Sequence, residues 1–95
     1  MAVTRTHHYT VDEADVPELL ARRAAVIAAI RAAHPGLSHT RLIRLEDGAF
    51  TDTWRWDSAG QMQAALAAMP IPEARAAMSL TRGATAQDGE IIDER

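Results

Sequence analysis

Apolar and polar residues alternate in three stretches of the chain, which is the pattern of half-buried β-strands. The first stretch, Val3–Val11, carries threonine and valine, residues that favour the pleated backbone. The other two cover roughly Ser38–Glu46 and Ala49–Asp57 and flank the dipeptide Asp47-Gly48. Asp-Gly is a strong hairpin signal, because a type I′ turn needs a positive φ at both central residues. We therefore predict a hairpin with a two-residue turn.

This turn determines which residues of the hairpin lie opposite each other, and residues that lie opposite each other share a face of the sheet. The predicted face is apolar with three ionisable groups set into it, which is typical of a small-molecule pocket. The other face is more polar. The predicted pairs are Leu45 with Phe50, Ile43 with Asp52, Arg41 with Trp54, and His39 with Trp56.

A helical spacing of apolar residues precedes the hairpin and predicts a long helix. Asp15 and Glu18 have the spacing of a capping box at its start. The tripeptide His34-Pro35-Gly36 ends it, because proline cannot continue a helix and glycine permits the turn. The predicted buried stripe consists of Leu19, Leu20, Val26, Ile27 and Ile30.

A second helix is predicted directly after the hairpin, where Ser58 and Gln61 form another capping-box signature. Pro70-Ile71-Pro72 breaks this helix, and Glu73–Leu80 is predicted to be a short helix. Gly83–Gly89 is weakly patterned and predicted to be a loop.

The chain is predicted to end in a short strand over Glu90–Glu94. The order of elements is then that of the ferredoxin-like split βαβ fold. We predict a single α+β domain over residues 1–95, with a four-stranded antiparallel sheet and helices on one face.

Composition excludes several kinds of chemistry. The net charge of −3 gives no basic surface for nucleic acid. All ten cationic residues are arginine, so Schiff-base catalysis by lysine is excluded, and the absence of cysteine excludes disulfides and thiolate catalysis. The absence of cysteine fits a cytoplasmic protein. No apolar run is long enough to cross a bilayer, so we expect no membrane partner.

Three pieces of the sequence carry a family resemblance. They are His34-Pro35-Gly36 after the long helix, the Leu42–Gly48 strand and turn, and Trp54–Ser58 before the Ala-rich helix. Together they resemble the antibiotic-biosynthesis-monooxygenase (ABM) family of dimeric α+β barrels. The resemblance implies a homodimer whose two sheets form a barrel, with a pocket between each sheet and its own helices. The activities that the resemblance implies are those of the family's members, which include cofactor-independent oxygenases of polyketide-like aromatics, haem-degrading oxygenases, isomerases, cyclases and proteins without known activity.

The chain departs from both catalytic patterns of that family. The oxygenases commonly use an asparagine beside a tryptophan, and this chain has no asparagine. Haem-degrading relatives present a histidine from the helical region in the second half of the chain, whereas His7, His8, His34 and His39 all precede that region. Haem degradation is therefore disfavoured, and we expect no cofactor.

The predicted hairpin face supplies the candidate catalytic residues. His39 is the candidate general base, and Arg41 would stabilise an enolate or phenolate oxygen. Asp52 would orient Arg41. Trp54 and Trp56 would form an aromatic wall for a planar substrate. The alternatives are that the tryptophans are core residues and that the ionisable groups form surface pairs of little energetic weight.

His7 and Tyr9 lie on one face of the first strand and are predicted to add a second polar, substrate-binding site. His8 points to the opposite face. No set of residues has recognisable metal-ligand spacing, so no metal site is expected.

The leading hypothesis is a homodimeric, small-molecule enzyme of the cofactor-independent monooxygenase type, or a related isomerase or cyclase, acting on a planar aromatic or polyketide-like compound. The alternative is a non-catalytic dimeric protein of the same fold with a small-molecule-binding or accessory role. A cavity beneath the hairpin would favour the enzyme, and a filled face would favour the accessory protein.

Overall fold

The computed structural model describes all residues, 1–95, as an antiparallel four-stranded sheet with three α-helices packed on one face. This is the predicted α+β ferredoxin-like fold, and the predicted order of elements is confirmed. The sheet order is β2-β3-β1-β4, which places β1 and β3 at the centre. No helix is both long and apolar enough to span a membrane. The strands are β1 (Val3–Val11), β2 (Leu37–Arg44), β3 (Phe50–Trp56) and β4 (Thr81–Glu90), and the helices are α1 (Val16–Ala33), α2 (Ala59–Ala67) and α3 (Pro72–Met78).

The helices cover the sheet face that carries the odd-numbered residues of β1 and the even-numbered residues of β3. Three residues of the predicted α1 stripe, Leu19, Val26 and Ile30, are buried there, whereas Leu20 is exposed. A bulge in β2 places Leu37 opposite Trp56 and adds it to this face. The main core cluster is Val3, Val26, Ile30, Leu37, Trp56, Met62, Ala65 and Ala77, and a second cluster is Tyr9, Leu19 and Phe50.

One of the two predicted helix caps forms. Ser58 is extended, with φ −153° and ψ 158°, and its hydroxyl accepts the backbone N–H of Gln61 at 3.2 Å, as an N-cap should. Asp15 makes no such bond. It already has helical dihedrals, φ −93° and ψ −4°, because a 3₁₀ turn over Glu13–Asp15 precedes α1. The side chain therefore lacks the extended backbone from which a cap reaches forward.

The hairpin turn differs from the predicted two-residue reversal. Gly48 has φ 88°, but no residue other than glycine has a positive φ, so Asp47 does not adopt the type I′ conformation. Instead the backbone N–H of Leu45 donates to the carbonyl of Ala49 at 2.8 Å, and residues 46–48 form a three-residue loop. The Asp47 carboxylate accepts the Ala49 N–H at 2.9 Å. A three-residue loop with glycine in the left-handed region is also a common hairpin closure.

The longer loop shifts β2 by one residue against the predicted register. Because side chains alternate along a strand, this shift moves those of β2 to the opposite face. The prediction that His39 and Arg41 share a face with the tryptophans is therefore wrong. The observed pairs are Arg44 with Phe50, Ile43 with Thr51, Leu42 with Asp52, Arg41 with Thr53, Thr40 with Trp54, and His39 with Arg55.

The last strand lies earlier than predicted. The expected loop Gly83–Gly89 is part of β4, which pairs antiparallel with β1, and β4 ends at Glu90. Every residue from Arg82 to Glu90 is exposed, so the strand shows no apolar alternation that sequence analysis can detect. Gly83, with φ 63°, lies at the bulge in this pairing, where a left-handed residue is needed.

Candidate functional site

A cavity of about 340 Å³ lies between the sheet and the helices. The sheet contributes β1 and β3 side chains to its floor, and all three helices contribute to its walls. Most of the lining is apolar, which suits an aromatic or aliphatic ligand. The apolar walls include Val26, Ile30, Leu66, Met69, Ala74 and Met78.

Asp52 is the buried charge of this cavity, and its carboxylate is fully hydrogen-bonded. Tyr9 Oη donates to Oδ2 at 2.8 Å, and Trp54 Nε1 donates to Oδ1 at 2.9 Å. Arg23 donates two further hydrogen bonds, from Nη2 to Oδ1 at 2.9 Å and from Nε to Oδ2 at 3.1 Å. The Asp52 side chain is only 7% exposed. These partners offset the cost of removing the charge from water.

The sheet and α1 bring this network together for simple geometric reasons. Asp52 and Trp54 are two residues apart on β3, so they share a face. Arg23 lies one turn after Leu19 on the buried side of α1, which places its guanidinium over the sheet. The guanidinium carbon lies 5.9 Å from the centre of the Trp54 ring. The indole is thus held through its N–H and contacted by a cation at its face.

Two titratable groups of β1, Tyr9 and His7, face the same cavity, and their pKa values are shifted in opposite directions. Burial, and then the nearby Asp52 carboxylate, raise the pKa of Tyr9, which stays protonated and donates to Asp52. Burial, and then the Arg5 cation, lower the pKa of His7, although Asp52 and Asp88 oppose the change. Hydrogen bonding does not contribute to the lowered pKa of His7. At neutral pH the cavity therefore contains an uncharged imidazole.

Two crystal structures of known proteins share this fold over nearly the whole chain. A variant of SnoaB, a cofactor-independent oxygenase from Streptomyces nogalater, is 25% identical, with a TM-score of 0.78, over 98% of this chain and 95% of that one. A proposed antibiotic biosynthesis monooxygenase from Caulobacter crescentus is 14% identical, with a TM-score of 0.73, over 97% and 91%. The chain is ABM-like. The resemblance predicted from the sequence is thereby confirmed.

A further structure of the ABM-like fold is described as a haem-degrading protein. Rv3592 from Mycobacterium tuberculosis is 21% identical, with a TM-score of 0.69, over 100% of this chain and 99% of that one. No protein-family model and no curated protein matches the sequence. The matched structures therefore support a monooxygenase-like protein and leave its substrate open.

Five of the seven predicted site residues of this ABM-like chain line the cavity: His7, Tyr9, Asp52, Trp54 and Trp56. Trp56 is 4% exposed and belongs to the main core cluster, so the core interpretation also holds for it. His39 and Arg41 do not line the cavity and are exposed on the uncovered face. Asp52 orients Arg23 rather than Arg41.

Sequence reasoning missed three arginines of the lining: Arg5, Arg23 and Arg75. Arg23 carried a usable signal, because it interrupts the apolar stripe of α1 between Leu19 and Val26, and a charge on a buried stripe needs a partner. Arg5 and Arg75 gave no comparable signal. No group of three or more histidine, aspartate or glutamate side chains is placed to hold a metal ion.

Proposed function

We propose that this protein is an enzyme of the cofactor-independent oxygenase type that acts on a planar aromatic or polyketide-like compound. The observation that carries the proposal is the uncharged His7 imidazole on the floor of an apolar cavity that the indole of Trp54 also lines. The likeness to SnoaB supports the reaction class. His7 thus takes the role that the sequence assigned to His39.

His7 would remove a proton from an acidic C–H or O–H of the substrate, since a neutral imidazole is a competent general base near neutral pH. The resulting imidazolium lies on β1 opposite Asp52 of β3, whose carboxylate favours the charged form. Arg23 binds Asp52 through Nε and Nη2 only. Its remaining nitrogen, Nη1, is available to stabilise an enolate or phenolate oxygen. Trp54 would pack against the plane of the ligand.

In the oxidation itself, the substrate anion supplies the electrons. For an anthrone, the carbanion transfers one electron to O₂, and the resulting radical and superoxide combine to form a C–O bond. Proton return from His7 gives a hydroperoxide. Loss of water from the hydroperoxide leaves the quinone, so that the methylene substrate and O₂ become a carbonyl product and H₂O. The cavity contributes a proton acceptor, His7, and an indole that Asp52 holds in place through its N–H.

Oxygen uptake with an anthrone provides the test. Wild-type protein should consume one O₂ per quinone formed, and His7→Gln should lower kcat by about 100-fold, the usual contribution of a general base. His39→Gln, on the uncovered face, is the matched control and should keep the wild-type rate. Equal loss in both variants, or full activity in His7→Gln, would contradict the assignment. A haem titration monitored at the Soret band checks the separate activity that is described for Rv3592.

The same ABM-like fold leads us to propose a homodimer built on the uncovered sheet face. That face is rich in threonine and arginine and also carries Ile43, which is 45% exposed. A second sheet packed against it would cover this side chain. The predicted barrel between two sheets remains a proposal.

A non-catalytic binding or accessory protein is the second candidate. It is favoured by the Asp52 carboxylate, whose oxygens accept hydrogen bonds from Tyr9, Arg23 and Trp54 and are therefore not free to take a proton from a substrate. Under this alternative the protein binds the aromatic compound with the same cavity residues but produces no O₂ uptake and no altered product.

A further inference from the structure

The cavity is positively charged although the whole protein is acidic. Three arginines and one carboxylate, Asp52, contribute to the lining, whereas the chain has a net charge of −3. Asp52 neutralises Arg23 within the cavity. Asp88, outside the lining, pairs with Arg5 through Nη1 at 2.9 Å. Arg75 has no carboxylate partner, either within the cavity lining or outside it.

Most arginines of the chain have a carboxylate within 4.0 Å; only Arg31, Arg41 and Arg75 have none. Arg31 donates to the carbonyl of Leu37. Arg41 lies on the uncovered face. Arg75 is therefore the only arginine without a carboxylate partner that borders the cavity.

Arg75 belongs to the mouth of the cavity. It lines the cavity and is also exposed, and it shares both properties with Met78 on the same helix and with Pro70 in the connection before it. The floor residues His7, Asp52 and Trp54 also line the cavity and are less exposed than these three. A ligand that fills the cavity thus has an apolar body and one end beside a free guanidinium.

We propose that the cavity selects planar aromatic acids, with the aromatic body against Trp54 and the carboxylate at the mouth against Arg75. The inference rests on the proposed function, since it specifies the class of compound that the same cavity accepts. A guanidinium presents a fork of donors that matches a carboxylate, so a charged acceptor binds more tightly than a neutral amide of the same shape.

The experiment compares anthracene-2-carboxylate with anthracene-2-carboxamide by isothermal titration calorimetry. The wild-type protein should bind the carboxylate about tenfold more tightly at low salt. Arg75→Gln should reduce that preference to within about twofold, mainly by weakening carboxylate binding, and Arg75→Lys should restore part of it. Raising KCl from about 0.05 M to about 0.5 M should shrink the wild-type preference, because an exposed charge is screened.

Arg82→Gln is the control for net charge, because it removes one positive charge from a surface pair with Asp12 outside the cavity. It should keep the full preference. Equal binding of acid and amide by the wild type, or an unchanged preference in Arg75→Gln, overturns the inference and leaves the proposed oxygenase standing. Failure of both compounds to bind removes the aromatic-binding cavity, and with it both proposals.

Discussion

His7 and Asp52 lie opposite each other on the two central strands, yet their side chains have different chemical roles. Asp52 accepts hydrogen bonds from three side chains, so its role is to hold Tyr9, Arg23 and Trp54 in place. The pKa of His7 is lowered by burial and by Arg5. Their environments therefore make Asp52 a structural anchor and His7 a candidate base.

The lowered pKa of His7 predicts how stability depends on pH. As the pH falls below about 6.5, the unfolded chain binds a proton at this position before the folded chain does, so the free energy of unfolding decreases. The loss continues until the pH reaches the folded-state pKa. Above about pH 6.5 His7 is uncharged in both states and contributes no pH dependence.

Urea unfolding at about pH 7.5 and about pH 5.5 measures this effect. His7→Gln should lose less stability between the two values than the wild type does. Tyr9→Phe is the control, since the raised pKa of Tyr9 keeps its titration in the alkaline range, and it should retain the acid dependence. An identical acid loss in His7→Gln and wild type would show that His7 does not carry it.

At the scale of elements, sequence periodicity located β1, α1 and α2 well, because each presents a repeated apolar face to one core. The hairpin was recognised, but its register was not. Asp-Gly serves both the two-residue turn and the three-residue loop, and the choice depends on whether Asp47 adopts a positive φ. That one dihedral decides whether His39 and Arg41 enter the cavity. The predicted position of β4 was wrong because this edge strand is exposed and has no buried face that an apolar alternation would reveal.

Replacement of glycine by alanine should have opposite effects at two positions, Gly48 in the hairpin loop and Gly60 in α2. Gly48→Ala should destabilise the protein by about 1 kcal/mol, because φ 88° strains any residue with a Cβ. Gly60→Ala should stabilise it by about 0.5 kcal/mol, because Gly60 is helical within α2 and a Cβ there meets nothing within 4 Å.

Thermal unfolding distinguishes the two variants, since 1 kcal/mol shifts Tm by about 4–8 °C in a domain of this size. Both positions have open space for a methyl group, so they form a matched pair that differs in backbone conformation. A lower Tm for Gly60→Ala, or an unchanged Tm for Gly48→Ala, would contradict the conformational argument.

At the scale of the whole molecule, the sheet has one covered and one open face. The open face carries Thr6 and Thr53, whose hydroxyls lie 3.2 Å apart, together with His39 and Arg41. Glu94 from the C-terminal tail binds Arg55 on this face with two contacts of 2.7 Å. A polar face of this kind suits a partner that brings further hydrogen-bonding groups.

The proposed dimer predicts that a charge on the open face dissociates the protein. Ile43→Glu should convert a species of twice the 10.3 kDa chain mass into a monomer, because a buried, unpaired carboxylate is costly at an interface. Leu20→Glu changes a similarly exposed residue on α1 and should remain dimeric. Sedimentation equilibrium measures both masses. A monomeric wild type, or dissociation of Leu20→Glu alone, would contradict the assignment of the interface.

The three-residue closure of the hairpin also bears on how such chains diverge. Deleting Glu46 would leave Leu45 opposite Ala49 across a two-residue Asp47-Gly48 connection, so the pairing of β2 with β3 would stay the same. His39 and Arg41 would remain on the uncovered face, and Thr40 and Leu42 would remain on the covered face. The length of this bend can therefore change between related chains without any change in the side chains that surround the cavity, provided that the residues flanking the bend keep their partners.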